Sequence, residues 1–260
     1  MIMLRSILLA MALAIASPAL TANATDPLDS VLWDDLVSRY LPGPLVFDSR
    51  VKVMVPKSAE NQFQVPVTVD ATELGKVEEI VVITDYNPIQ RVLVFRPGNA
   101  DPFFGVRVKV EQTTPVRAAA RTTDGVWHVG GAIVEAAGGG CTAPAVAYAD
   151  ANWMSTLGQT NARALREDDG EVRMTMRMRH PMDTGLAPGI PVFHLQRLEA
   201  TADSGDTVAS FDLFEPVSED PTITLRAQLP ASTGKVAFSG RDTEGNTYAF
   251  SVDVPPVPGN

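Results

Sequence analysis

Apolar and polar residues alternate with a period of two along most of this chain, and the alternating runs are short. Val106-Arg107-Val108-Lys109-Val110-Glu111 shows the pattern most cleanly. Val51, Val53 and Val55 alternate with Lys52 and Met54, and Met174, Met176 and Met178 alternate with Arg173, Thr175, Arg177 and Arg179. A period of two is that of a strand with one face buried. Turn formers close the runs at Asn87-Pro88, Pro97-Gly98-Asn99, Asp124-Gly125, Asp203-Ser204-Gly205, Ser232-Thr233-Gly234 and Glu244-Gly245-Asn246. With 19 glycines and 20 prolines the chain favours many turns over long helices. The class is all-β.

The strand pattern falls into two sets. Runs at 51–55, 63–69, 79–84, 91–95, 106–111, 115–121 and 126–137 predict an antiparallel β-sandwich over residues 45–137. Runs beginning at Glu171 and continuing at 192–200, 207–214, 222–228, 234–241 and 247–254 predict a second, smaller sandwich over residues 171–256. The methionine row of the second set offers soft ligands for copper, but one apolar face of a strand is ordinarily core, and we read it as core. Residues 138–170 lie between the sets as an arm and linker. Ala145 to Leu165 is Ala-rich, with Trp153, Met154 and Leu157 near helical spacing, and reads as a short helix. Before the first set, residues 25–44 hold a helix from Thr25 to Tyr40, with Asp26 as N-cap, Pro27 at the first helical position and Leu41-Pro42-Gly43-Pro44 as its stop.

Residues 1–24 read as a signal peptide. Arg5 precedes an apolar run from Ile7 to Ala16, too short to span a bilayer, and Ala22-Asn23-Ala24 fits a small-x-small cleavage site. The expected location is periplasmic. The net charge of −10 argues against nucleic acid or an anionic membrane surface as a partner.

Motifs for chemistry are mostly missing. His128, His180 and His194 have no metal-type partner at i+3 or i+4, and a single cysteine excludes a structural zinc site. His180, before Pro181, reads as a turn or surface residue. Asp183-Thr184-Gly185 matches the triplet of aspartic proteases, but it occurs once where two aspartates are needed; we read it as a turn. What remains is Cys141, the only cysteine, preceded by Gly138, Gly139 and Gly140 and followed by Thr142, Ala143 and Pro144. In an exported chain one cysteine cannot pair within itself. It is buried and inert, a working thiol, or the link of a disulfide dimer through Cys141. Three glycines supply no bulk to bury it and much backbone freedom, so we expect a solvent-exposed thiol on a flexible arm.

Strings in both halves resemble a known pair of proteins. Val65-Pro66-Val67, Arg107-Val108-Lys109-Val110-Glu111-Gln112-Thr113, Asp124-Gly125 and the glycine-flanked Cys141 are similar to SoxY. Arg179-His180-Pro181-Met182-Asp183-Thr184-Gly185-Leu186, Ile190-Pro191, Val217-Ser218-Glu219-Asp220-Pro221 and Asp242-Thr243-Glu244-Gly245 are similar to SoxZ. SoxY and SoxZ are the two subunits of the periplasmic sulfur-oxidation carrier. The resemblance implies immunoglobulin-like sandwiches for both halves, packed together, and a carrier that is not an enzyme and uses no cofactor or metal. It implies that Cys141 covalently holds a sulfur intermediate, with Gly138, Gly139 and Gly140 as the flexible arm. The partners it implies are periplasmic redox or sulfur-oxidising enzymes. Two departures stand out: Thr142 and Ala143 replace the glycines of the family's Gly-Gly-Cys-Gly-Gly arm, and the arm is internal. In this the chain looks more like fused SoxYZ-like carriers associated with quinoprotein dehydrogenases. Thiosulfate as cargo is thereby left open, and so is an assembly module for such a dehydrogenase with the thiol incidental.

Overall fold

The structure is a computed structural model that describes residues 25–257; the expected signal peptide lies outside the described residues. Eight strands make up the first half: β1 (Leu45–Phe47), β2 (Lys52–Met54), β3 (Val65–Asp70), β4 (Val77–Thr84), β5 (Arg91–Arg96), β6 (Ala100–Val108), β7 (Thr114–Thr122) and β8 (Trp127–Val134). Nine make up the second: β9 (Thr160–Arg166), β10 (Glu171–Met178), β11 (Asp183–Thr184), β12 (Val192–Phe193), β13 (Leu195–Ala202), β14 (Thr207–Leu213), β15 (Thr222–Gln228), β16 (Lys235–Asp242) and β17 (Thr247–Asp253).

The two halves share both of their large sheets. One sheet has nine strands in the order β1-β8-β7-β4-β5-β14-β13-β16-β17, and the other six, in the order β2-β3-β6-β15-β10-β9. The halves therefore join edge to edge twice. Phe211 of β14 stands opposite Phe95 of β5, and Thr224 of β15 opposite Gly105 of β6. Each join covers strand edges that would otherwise expose unpaired backbone groups. Pairing is antiparallel except for β1 with β8. The all-β class stands, and the tandem sandwiches are fused into one two-layer structure.

A single core runs through the join. Val65, Val67 and Val69 of β3, Phe104, Val106 and Val108 of β6 and Met174, Met176 and Met178 of β10, all strands of the six-stranded sheet, belong to one continuous buried cluster. The methionine row is thus core. At the seam, the rings of Phe95, Phe104 and Phe211 pack with centroids 4.7–6.1 Å apart. Each such pair contributes about 0.5–1.5 kcal/mol beyond simple burial, so the seam is bound by side chains as well as by backbone.

The N-terminal helix is shorter than the spacing predicts. Helix α1 spans Trp33–Tyr40. Asp26 does not start it. Its carboxylate accepts the backbone N–H groups of Leu28 and Ser30 in a local turn and takes both terminal nitrogens of Arg117 at 2.7 Å. Asp29 then has φ of 52°, which no helix accommodates. α1 covers the outer face of the nine-stranded sheet, where Trp33 and Leu36 pack with Val81, Ile83, Val94 and Trp127.

The linker also differs. Residues 145–165 hold two short 3₁₀ turns, Val146–Ala149 and Trp153–Thr156, followed by strand β9. β9 pairs with β10 through the turn at 167–170, and turns Ala162 and Ala164 toward the core. Alternation with alanine on the buried face gives little hydrophobic contrast, which is why the period was not legible.

Candidate functional site

Cys141 lies where the two halves meet, on a loop that both of them hold. The site begins at the end of β6. Val108 and Val110 point into the core, and Lys109, between them, enters a polar seam. Lys109 N–H donates to Pro216 O at 2.7 Å, so this stretch of the first half is already paired to the second. Asn87 clamps the same stretch: its Nδ2 donates to Lys109 O and its Oδ1 accepts from Glu111 N–H, both at 2.8 Å.

The three glycines dock against that stretch. Gly139 N–H donates to Glu111 O at 3.1 Å and Gly140 N–H to Val110 O at 3.2 Å. Gly138 and Gly139 have φ of 112° and 87°, values that favour glycine. A Cβ on Gly140 would lie 2.4 Å from the carbonyl oxygens of Gln62 and Val110. Close approach of backbone to backbone, and not mobility, is what Gly140 supplies. The expected flexible arm of Gly138, Gly139 and Gly140 is a docked strap.

Cys141 is likewise not presented to solvent. It is 1% exposed, and its Sγ lies 3.9 Å from Lys109 O. The expectation of an exposed thiol fails because the bulk that buries it comes from other strands and from the second half, not from its sequence neighbours. Its N–H donates to Glu111 Oε2 at 2.9 Å, and Thr142 Oγ1 donates to Glu111 Oε1 at 3.2 Å. Its carbonyl accepts from Thr184 Oγ1 at 2.6 Å. Further along, Glu219 accepts the N–H groups of Val146 and Ala147 at 2.7 Å each. The strap is therefore clasped by a glutamate of the first half and by a threonine and a glutamate of the second. Burial, reinforced by the Glu111 carboxylate and opposed by Lys109, pushes the Cys141 thiol up to about 12. In this closed arrangement the sulfur is a protonated thiol at neutral pH and a poor nucleophile.

Lys109 is 6% exposed. Its ammonium donates to Met182 O. Burial lowers its pKa, while Cys141, Asp183, Glu219 and Glu215 act the other way.

Asp183 accepts a hydrogen bond from Tyr148. Burial raises its pKa; Tyr148, Lys109 and a backbone N–H oppose the rise, and no second carboxylate takes part. The protease-like triplet is thus a structural strand end: Asp183 and Thr184 form β11 and turn back through Gly185 to β12. His180, expected at the surface, is 2% exposed and packs on Phe193. Its Nδ1 accepts from Met182 N–H, and burial lowers its pKa to about 4. Among the described residues no group of His, Cys, Asp and Glu is arranged to hold a metal ion, and no helix is long and apolar enough to cross a membrane.

Lys109, Glu111, Thr184 and Glu219 were not singled out as site residues by the sequence reading. Yet each sits inside a string that carried the resemblance, and those strings converge on the strap. That convergence was the available signal.

Residues 40–141 match the family model described as sulfur oxidation protein SoxY, ending on the cysteine itself. Residues 161–253 match the one described as sulphur oxidation protein SoxZ. No curated protein matches the chain. Among solved structures the chain is similar to the sulfur carrier protein SoxY from Chlorobium limicola f thiosulfatophilum, with 21% identity over 40% of this chain and 94% of that one, at a TM-score of 0.35.

Proposed function

From the premise that the chain carries a SoxY domain followed by a SoxZ domain in tandem, we propose that it is a periplasmic, non-enzymatic carrier that holds a sulfur-containing intermediate covalently on Cys141. The observation that carries this reading is the position of the single cysteine, at the seam of the two domains and under a strap that residues of both domains hold.

The strap has two states in this proposal. Closed, it buries the sulfur and keeps it protonated. Open, it gives the sulfur to a partner. Its hydrogen bonds each contribute about 0.5–1.5 kcal/mol net, a range from which docking of a partner offsets several. Lifting the strap also removes the burial that raises the thiol pKa, so exposure and activation come together. The partners are periplasmic redox or sulfur-oxidising enzymes, a quinoprotein dehydrogenase among them by the resemblance of the internal arm to fused carriers.

Burial of the thiol favours one other reading: an assembly module for such a dehydrogenase, with Cys141 a packing residue. Replacement Cys141→Ser in the source strain separates the two. Loss of sulfur oxidation with the protein still folded and abundant supports the carrier; full activity supports the assembly module. A disulfide dimer through Cys141 likewise requires the strap to open.

A further inference from the structure

Met182 is pinned at every polar atom. Its N–H donates to His180 Nδ1 at 3.1 Å, its carbonyl accepts from the Lys109 ammonium, and its Sδ accepts from Leu195 N–H at 3.3 Å. The pins hold it at φ of 53°, in the left-handed region that a non-glycine residue occupies only under constraint. Two residues on, Thr184 Oγ1 holds the strap through the carbonyl of Cys141. The strap is thus fastened to a strained segment, and His180 is one of the fasteners of that segment.

The hydrogen bond to Met182 fixes the state of the ring. Nδ1 accepts only while it is free of a proton, so the neutral ring carries its proton on Nε2. That Nε2 is buried and has no hydrogen-bond partner among the described residues. Asp242 Oδ2 lies 3.6 Å from it, beyond hydrogen-bond reach. Asp242 is itself held in place by the N–H groups of Glu244 and Asn246, the Asn246 side-chain amide and the Tyr248 hydroxyl. The ring therefore serves Met182 at the expense of Asp242. A second proton reverses this. It lands on Nδ1, sets a donor against the Met182 N–H, and gives the ring the charge that Asp242 attracts. Asp220, ahead of β15, accepts His180 N–H at 3.1 Å and is paired with Arg177 and Arg179. Asp242 and Asp220 favour the imidazolium, and His194, ahead of β13, opposes it. Lys109 stands on the carbonyl side of Met182, and Glu215 acts on His194.

We propose that His180 is a proton-operated latch on the strap: a proton at Nδ1 releases Met182, the strained segment from Met182 to Thr184 relaxes, and the hydrogen bond from Thr184 to Cys141 is lost. The inference rests on the carrier reading for a strap that opens, and on nothing that Cys141 carries. Its direction is fixed. Burial holds the ring neutral down to about 4 while the strap is closed, and a ring released toward solvent takes up its proton near the ordinary 6.5. Between those values protons favour the open strap.

The test times the reaction of Cys141 in the full-length protein with 4,4′-dithiodipyridine, folded and in urea, between pH 7 and pH 5. The folded-to-unfolded rate ratio cancels the titration of the thiol and of the reagent and leaves the opening of the strap. That ratio is expected to rise about tenfold from pH 7 to pH 5. His180→Asn puts Oδ1 where Nδ1 stood, keeps an acceptor for Met182 and takes up no proton; its ratio stays flat. Thr184→Val cuts the latch from the strap, so its ratio is higher at pH 7 and also flat. His194→Asn keeps the rise. A flat ratio in wild type with measurable labelling overturns the latch and leaves the carrier standing, and so does a rise that survives in His180→Asn or vanishes in His194→Asn. A folded rate that climbs in low urea as steeply as unfolding does assigns the rise to global unfolding and overturns the latch. No labelling of folded protein at any pH overturns the latch and the carrier reading together.

Discussion

Thr184 Oγ1 donates a 2.6 Å hydrogen bond to the carbonyl oxygen of Cys141. One residue belongs to the SoxZ domain and the other ends the SoxY match. The bond ties the strap of one domain to the body of the other, at the residue next to the strap's clasp on Glu111. Access to the thiol is thus a property of the seam.

Thr184→Val keeps the shape but removes that bond, together with the local one Thr184 Oγ1 accepts from Leu186 N–H at 3.2 Å, of which only the first reaches the strap. One net hydrogen bond of about 1 kcal/mol changes an opening equilibrium by roughly fivefold. Alkylation of Cys141 in native protein by iodoacetamide is expected to speed up by about that factor, with the midpoint of urea unfolding little changed. An unchanged alkylation rate removes Thr184 from the gate.

Gly140→Ala and Gly139→Ala separate a docked strap from a flexible one. At Gly140 a methyl group meets two backbone carbonyl oxygens at 2.4 Å, whereas at Gly139 nothing lies within 4 Å and only the φ of 87° is strained. Overpacking costs about 1–3 kcal/mol, and a left-handed non-glycine residue about 1 kcal/mol at the low end of its range. Urea unfolding is expected to show the larger loss for Gly140→Ala, together with faster labelling of Cys141. A flexible arm predicts no loss for either.

His180 makes stability fall toward acid. Its folded pKa is lowered, by burial first, from 6.5 to about 4. Between those values the unfolded chain binds the proton and the folded one does not, so stability is full above 6.5 and declines as pH falls toward 4. The difference is on the order of 3 kcal/mol. Unfolding free energies between pH 7 and pH 4 are expected to slope down in wild type and to lose that part of the slope in His180→Gln. The same slope in both proteins refutes the assignment.

Arg117→Met is expected to be severely destabilising. Arg117 is 1% exposed, takes Asp26 at 2.7 Å and Asp85 at 2.9 Å, and lies under Trp33. Removing it leaves two carboxylates without a cation, at about 3–5 kcal/mol. Since Asp26 anchors the segment before α1, limited proteolysis near residue 30 is expected to accelerate as well. Unchanged unfolding and proteolysis contradict the anchoring role.

Much of this arrangement was legible in the sequence, for physical reasons that also mark where reading stopped. Period two is local, so strands such as β6 and β10 could be read directly from Val106–Val110 and Met174–Met178. Edge pairing is not local: nothing in Phe95 or Phe211 says that β5 meets β14. β9 hid because Ala162 and Ala164 give a weak apolar face. α1 came out too long because Asp26 looks like a cap, and its partner Arg117 lies 91 residues away. The cysteine was legible as the special residue. Its burial was not, since glycines that dock by close approach and glycines that flex are written with the same letter. The two are told apart only by what lies 2.4 Å from an absent Cβ.

The most direct test of the central claim is the intact mass of the protein isolated from its own cells during sulfur oxidation, before and after a reductant, with the Cys141 peptide mapped. The account predicts an added mass on Cys141 that the reductant removes, and that is missing in Cys141→Ser. An unmodified thiol throughout active sulfur oxidation contradicts it, and leaves the protein an assembly module whose cysteine is packed and silent.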